Sequence, residues 1–328
     1  MNIASIAILI LSVASAEIRT TSPKNMNRPN LPLPTLGGKQ FWTDIRHFDG
    51  WRIQHNHLTG HYRLLDARNV RHAWGDESEC REALESAIES RGLKNYSGKV
   101  VIVLHGLNRS TATMRRLANH LREADFQVIN FQYASGRTTI DAHADSLRRI
   151  IQDIPASVTD LSFVGHSMGN IVVRRYLAGS EIDSRIRRMV MIGPPNQGSQ
   201  LAKMLGGTIP FRMVTGESGT QLAGEWEKFQ SRLATPDFEF GIIAGGQDEK
   251  IRLSNFLLDG KDDLIVRVAE TKLPGAHDFV VRPMLHSTMM KHPETLEMTL
   301  RFLQSGHFVA EESRTPIAKD QDATDESL

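Results

Sequence analysis

Gly165-His166-Ser167-Met168-Gly169 constrains this chain more than any other stretch. An apolar run, Asp160 to Val164, leads directly into it, and a helix-like run, Asn170 to Leu177, leads directly out. A G-x-S-x-G pentapeptide between a strand and a helix has to turn very sharply. The serine is then expected at strained backbone angles, with its Oγ projecting above a sheet edge. The two glycines remove the Cβ atoms that would collide with the neighbouring strand and helix. Ser167 is therefore the candidate nucleophile.

The remaining pattern alternates strand with helix. Lys99-Val-Val-Ile-Val-Leu104 is a continuous apolar run, which marks a strand buried on both faces. Further strands are predicted over 126–131, 161–164, 186–192 and 238–244, with Leu264 to Val268 a candidate for one more. Amphipathic helices are predicted over 77–89, 111–123, 139–153 and 296–303. Trp51 to His55 and His61 to Leu65 suggest a hairpin. The fold class is α/β: a mostly parallel central sheet with helices on both faces. Ligands in such sheets bind at the C-terminal edge of the strands.

The 328 residues carry 39 Lys and Arg against 38 Asp and Glu. A net charge of +1 gives no field to recruit nucleic acid, and none is expected as a partner. Residues 1–16 read as an export signal, with an apolar run from Ile3 to Val13 and an A-x-A site at Ala14-Ser15-Ala16. That run is too short to span a bilayer, so the mature protein is expected outside the cytoplasm. Residues 17–36 hold four prolines and read as a linker. The folded domain is expected over 37–305, with 199–236 a candidate cap over the site, and residues 306–328 as a disordered acidic tail. Cys80 is the only cysteine, which excludes an internal disulfide. It reads as structural rather than nucleophilic.

A serine hydroxyl needs an imidazole to take its proton and a carboxylate to hold that imidazole. For a serine on such a turn, the acid and the base follow in the chain. His277, His286, His292 and His307 are the histidines that follow. His286, in the loop that feeds the last helix, is favoured as base. His277 reads as solvated in a Pro-Gly loop, His292 as a helix cap and His307 as part of the tail. Asp263 is favoured as acid over Asp248, with Asp262 adjacent. Oxyanion stabilisation needs two backbone N–H groups. The candidates are the amides of Met168 and of Leu107, the latter in the loop His105-Gly106-Leu107-Asn108. His105 there reads as an orienting hydrogen-bonder. His55 and His57 share a strand face with His61 nearby, but no Cys or carboxylate completes a metal set, and a surface or subunit contact is favoured.

His105-Gly106-Leu107, the pentapeptide, Gly193-Pro-Pro-Asn-Gln-Gly198, the acid segment from Asp263 and Leu285-His286-Ser287 together resemble the α/β-hydrolase fold, and within it the lipase and esterase group. The matches span about 99–290; Leu264 stands where the group usually has Gly after the acid. The resemblance implies hydrolysis of carboxylic esters through an acyl-enzyme, without metal or organic cofactor. The implied substrate is a small-molecule or lipid ester, with contact to a lipid surface. An acyltransferase or amidase would use the same residues, and a binding module would keep the fold without the chemistry.

Overall fold

Consecutive residues of one strand feed two separate cores. Val100, Ile102 and Leu104 point into one apolar cluster, Val101 and Val103 into another. A strand buried on both faces belongs in the middle of a layered α/β structure. The computed structural model places it there. It describes residues 33–34, 40–198, 216–222, 226–246 and 266–319. All of them belong to one compact unit, Leu31–Leu328.

The main sheet holds β6 (Gly98–Leu104), β7 (Gln127–Phe131), β8 (Val158–His166), β9 (Ile186–Ile192), β10 (Glu239–Gly245) and β11 (Asp278–Arg282), in the order β11-β10-β9-β8-β6-β7. Every pairing in it is parallel. Helices α3 (Ile140–Gln152) and α4 (Met168–Leu177) pack on one face through Leu147, Ile150, Ile171 and Tyr176. On the other face α2 (Thr111–Glu123) and α5 (Pro293–Ser305) contribute Met114, Leu117, Leu296 and Phe302. The fold class read from the sequence is thus the one observed.

A second sheet precedes it, an antiparallel meander of β1 (Leu33–Pro34), β2 (Trp42–Phe48), β3 (Trp51–Asn56), β4 (Tyr62–Leu65) and β5 (Val70–Gly75). The expected hairpin is β3–β4. Helix α1 (Glu77–Arg91) covers the meander and closes a third core around Ile53, Leu64, Cys80 and Leu84. Its start is fixed by a capping box between Asp76 and Glu79, and its end by Gly92 at φ 61°. Cys80 is fully buried, and burial pushes its thiol pKa up to about 12, as suits a structural residue.

The meander meets the main sheet through a buried carboxylate. Asp44 Oδ2 accepts from Gln132 N at 2.7 Å and lies 2.8 Å from His47 Nε2, while Oδ1 accepts from Gln54 Nε2 at 2.6 Å. Arg63 in turn donates to Gln54 Oε1. Burial by itself would raise the Asp44 pKa; the charge and hydrogen bond of His47, the Arg52 charge and the Gln132 amide outweigh it and hold the carboxyl below the usual range.

Two expectations need correction. Val266 and Arg267 are not in a strand and Val268 opens a short helix, Val268–Thr271, whose Glu270 carboxylate caps Arg267 N at 2.9 Å. Leu264 and Ile265 lie outside the described residues. The tail expected to be disordered from 306 is packed over 306–319: Phe308 is fully buried, and its N–H donates to Asp278 Oδ2 at 2.7 Å. Farther on, Thr315 N donates to Asp278 Oδ1, Thr315 Oγ1 donates to Phe279 O, and Ile317 exchanges backbone bonds with Gly275 and Ala276 beside β11. Of the candidate cap 199–236, Trp226 and Phe229 belong to the apolar core that α3 and α4 also line. Leu201, Met204, Leu205 and Phe211 lie outside the described residues.

Candidate active site

Strand β8 ends at His166 and α4 begins at Met168, so Ser167 alone makes the turn. Its backbone sits at φ 53°, ψ −125°, a conformation a side chain normally avoids. The strain is held by hydrogen bonds. Ser167 N donates to Ile192 O at 2.9 Å, and the fully buried Asn170 donates to Ser167 O from both its backbone N and its Nδ2. A methyl group at Gly169 would lie 2.8 Å from Leu104 O and 2.9 Å from His105 O, so glycine is required where α4 crosses β6. Asn170 escaped the sequence reading; its signal is an amide three residues after the serine, at capping distance.

The loop after β6 runs against the serine. A methyl on Gly106 would come within 3.1 Å of Ser167 Cβ. Ser167 is therefore largely enclosed, 6% exposed, rather than standing free of the sheet edge as the pentapeptide suggests. Leu107 follows, half-buried against the core, and Met168 is fully buried. His105 orients this loop. Its Nδ1 donates to Gly106 O at 2.9 Å, and its ring stacks on Tyr133 at 4.2 Å. The Tyr133 hydroxyl donates to His105 O. Burial pushes the His105 pKa down to about 4, so the ring is a neutral strut.

His286 lies between β11 and the 3-10 turn Met289–Lys291, partly exposed. His166 Nε2 donates to its backbone carbonyl at 3.0 Å, and the two rings are 4.9 Å apart. A methyl on Gly193, the residue after β9, would lie 2.8 Å from His286 Nδ1. His286 thus sits over the C-terminal ends of the strands, in a separate loop held beside the Ser167 turn by His166. Burial first, and the His286 charge next, hold the His166 pKa well below the usual value.

The other histidines are elsewhere. His277 opens toward β11 from the opposite end of the strands, half-buried rather than solvated, and its Nδ1 accepts from Phe240 N at 3.4 Å. His292 is the N-cap residue of α5, but its side chain makes no cap bond. His307 follows α5 and pairs with Glu311 at 3.2 Å. Asp248, Asp262 and Asp263 lie outside the described residues. The segment 193–198 is tied down by Asn196, whose Nδ2 donates to Thr271 O at 2.8 Å and whose Oδ1 accepts from Arg174 at 3.1 Å.

In the meander, His55 and His57 rings are 5.0 Å apart, His57 Nε2 pairs with Thr43 Oγ1 at 2.8 Å, and His61 stacks on Trp74. Among the described residues no group of three or more His, Cys, Asp or Glu is arranged to hold a metal ion.

A family model for the α/β-hydrolase fold matches residues 99–215. The same fold is seen in the mature lipase BlEst2 of Bacillus licheniformis, at 16% identity and a TM-score of 0.50 over 64% of this chain and 92% of that one. This chain has the α/β-hydrolase fold. The metagenomic carboxyl esterase MGS0156 superposes with a TM-score of 0.47 at 15% identity, over 64% of this chain and 76% of that one. Phospholipase PlaB of Legionella pneumophila gives 0.46 at 17%, over 64% of this chain, which spans 59% of that protein. No curated protein matches the chain in sequence. In this fold a nucleophile, where there is one, is carried on a strand-to-helix turn.

Proposed function

We propose that this α/β-hydrolase chain is an exported serine hydrolase that cleaves carboxylic esters, of lipids or other acyl donors, through an acyl-enzyme. One observation carries the reading: Ser167 is held at φ 53° on a turn that also holds the His286 loop through His166. A strained serine and an imidazole-bearing loop fastened to the same bend are what acyl transfer by a hydroxyl requires.

In this mechanism Ser167 Oγ attacks the ester carbonyl carbon and its proton passes to His286. Asp263 holds the imidazole in the tautomer that can accept it. The amides of Leu107 and Met168 donate to the oxyanion of the tetrahedral intermediate. His286 then gives the proton to the departing alcohol, and the acyl group stays on Ser167. Water attacks that acyl group, its proton goes to His286, and the carboxylic acid leaves as the serine is restored. Side chains and backbone amides carry every proton and charge. Removal of residues 1–16 would release the enzyme outside the cytoplasm, at an ester or lipid surface.

Ser167→Ala tests the reading against p-nitrophenyl esters of graded chain length. The expected result is a loss of at least about a thousandfold in turnover with the melting temperature retained. Fluorophosphonate should label the parent and not the variant. Equal rates in the two proteins would reject it. Product analysis with an added alcohol or amine separates hydrolysis from acyl transfer to those acceptors.

A further inference from the structure

A cleft of about 620 Å³ opens between the meander and the main sheet, away from Ser167. Its walls come from the β2–β3 turn, the loop after α1, helix α2 and the edge of β7. It runs along β7, from Gln127 at its start to Asn130 and Thr111 near its other end, and neither Ser167 nor His286 lines it. The cleft and the serine turn are therefore separate places.

The charge in this cleft is one-sided. Arg52, Lys94, Arg115 and Arg122 line it against a single carboxylate, Asp49. The whole chain is balanced, 39 cationic side chains to 38 anionic, so the excess is local and not a sign of general basicity. The nearby Asp44 carboxylate is buried and already committed to His47, Gln54 and Gln132. Among the described residues Lys94 and Arg115 make no ion pair, and both are exposed. Arg122 is held by neutral partners: its NH1 donates to Asn119 Oδ1 at 3.0 Å and its NH2 to Val128 O at 3.1 Å. A guanidinium oriented by neutral oxygens keeps its full charge for a ligand. Burial holds the Arg122 pKa below its usual value, a desolvation cost that a bound anion would relieve.

We propose that this cleft binds a small organic molecule carrying two or more phosphate charges, which Arg115, Arg122 and Lys94 neutralise. The volume lies within the range of small-molecule sites, about 300–1,000 Å³, and inorganic phosphate would leave most of it unfilled. Planar guanidinium groups match phosphate oxygens in pairs, so arginine is the suited donor. Tyr96 and Phe126 form the apolar part of the wall, against which the organic body rests. The charge could reach the cleft on a free metabolite or on a phosphorylated lipid headgroup; the chemistry recognised is the same.

The test is titration calorimetry of the full chain at low salt with pyrophosphate and with fructose 1,6-bisphosphate. Cosedimentation with phosphatidylcholine vesicles, with and without phosphatidic acid, runs beside it. The expected result is saturable binding that Arg115→Gln weakens about threefold and the Arg115→Gln/Arg122→Gln pair about tenfold or more. Arg116→Gln, on the same helix but outside the cleft, should bind as the parent does. Arg115 makes no hydrogen bond within the described residues, so its single variant keeps the test informative if the pair fails to fold. Binding of fructose 1,6-bisphosphate identifies a free organic phosphate; binding only of the acidic vesicles identifies a headgroup. The proposal is overturned if no anion or vesicle binds up to about 10 mM, or if Arg115→Gln and the pair bind as tightly as the parent.

Discussion

His166 Nε2 donates to the backbone carbonyl of His286 across 3.0 Å, so the residue before the bent serine holds the loop that carries the proposed base. His166 is fully buried and neutral, so the link is a fixed strut, not a proton carrier. His166→Ala should lower kcat by about ten- to a hundredfold with KM little changed, because the imidazole loop loses its tether. His166→Gln, which keeps an N–H donor, should recover part of the rate. Stability should fall by about 1–3 kcal/mol as the His286 carbonyl loses its partner. A KM effect without a kcat effect would contradict the positioning role.

Gly193→Ala inserts a methyl 2.8 Å from His286 Nδ1 at a backbone φ of 53°. The ring must move or the strand end must shift. A displacement of about 1 Å should cost about a hundredfold in kcat/KM, measured with a short p-nitrophenyl ester. Unchanged rates would show that His286 has room to yield.

Asp44→Asn removes the charge at the junction of the two sheets, leaves Arg52 without its buried counter-ion and weakens the contact to His47. The expected loss is about 3 kcal/mol in urea unfolding at neutral pH. The parent's Asp44 contribution is present above the unfolded carboxyl pKa near 3.8 and is lost as pH falls through the lower folded value. The variant should lack that acid-dependent component.

Three buried histidines stay neutral in the fold: His105 with its pKa near 4, His143 near 3, and His166 well below 6.5. The unfolded chain protonates all three below about pH 6.5 while the fold does not. Stability is therefore full above that pH and falls on acidification toward the folded values, by about 1.4 kcal/mol per pH unit for each histidine. Denaturant midpoints at pH 7.5, 6 and 5 measure it. A flat profile over that range would refute the neutral assignment.

Phe308→Ala should destabilise the fold by about 3–5 kcal/mol in chemical denaturation, since the ring is fully buried against Phe302 at 4.8 Å. A cost under about 1 kcal/mol would mean that the terminal segment is not part of the core.

The central α/β region was the most legible in sequence. Strands such as β6 and β9 are buried on both faces and carry unbroken apolar runs, and helices α2 and α3 show clear amphipathic spacing. The turn at Ser167 stood out because its glycines answer to steric contacts with fixed partners. Strand β11 did not stand out. It is short and lies at the sheet edge, and Asp278 and Arg282 at its ends read as loop. Strands β2 and β5 carry buried Thr43, Asp44 and His47 or half-exposed residues, which break the alternation a strand is read from. Leu264 to Val268 read as a candidate strand because Val266 and Val268 alternate; Val268 instead opens the short helix that Glu270 caps. Asn170, Tyr133 and the Asp44 junction depend on partners distant in sequence, and no local pattern announces those.

The Thr315 hydroxyl donates to the Phe279 carbonyl near the start of β11, and Ile317 exchanges backbone bonds with Gly275 and Ala276 just before it, so the terminal segment covers the first part of that sheet border. A bare parallel border offers its amides and carbonyls to any passing strand. Molecules cut back to the end of α5 would bare that part of the border and should associate more readily than the full chain.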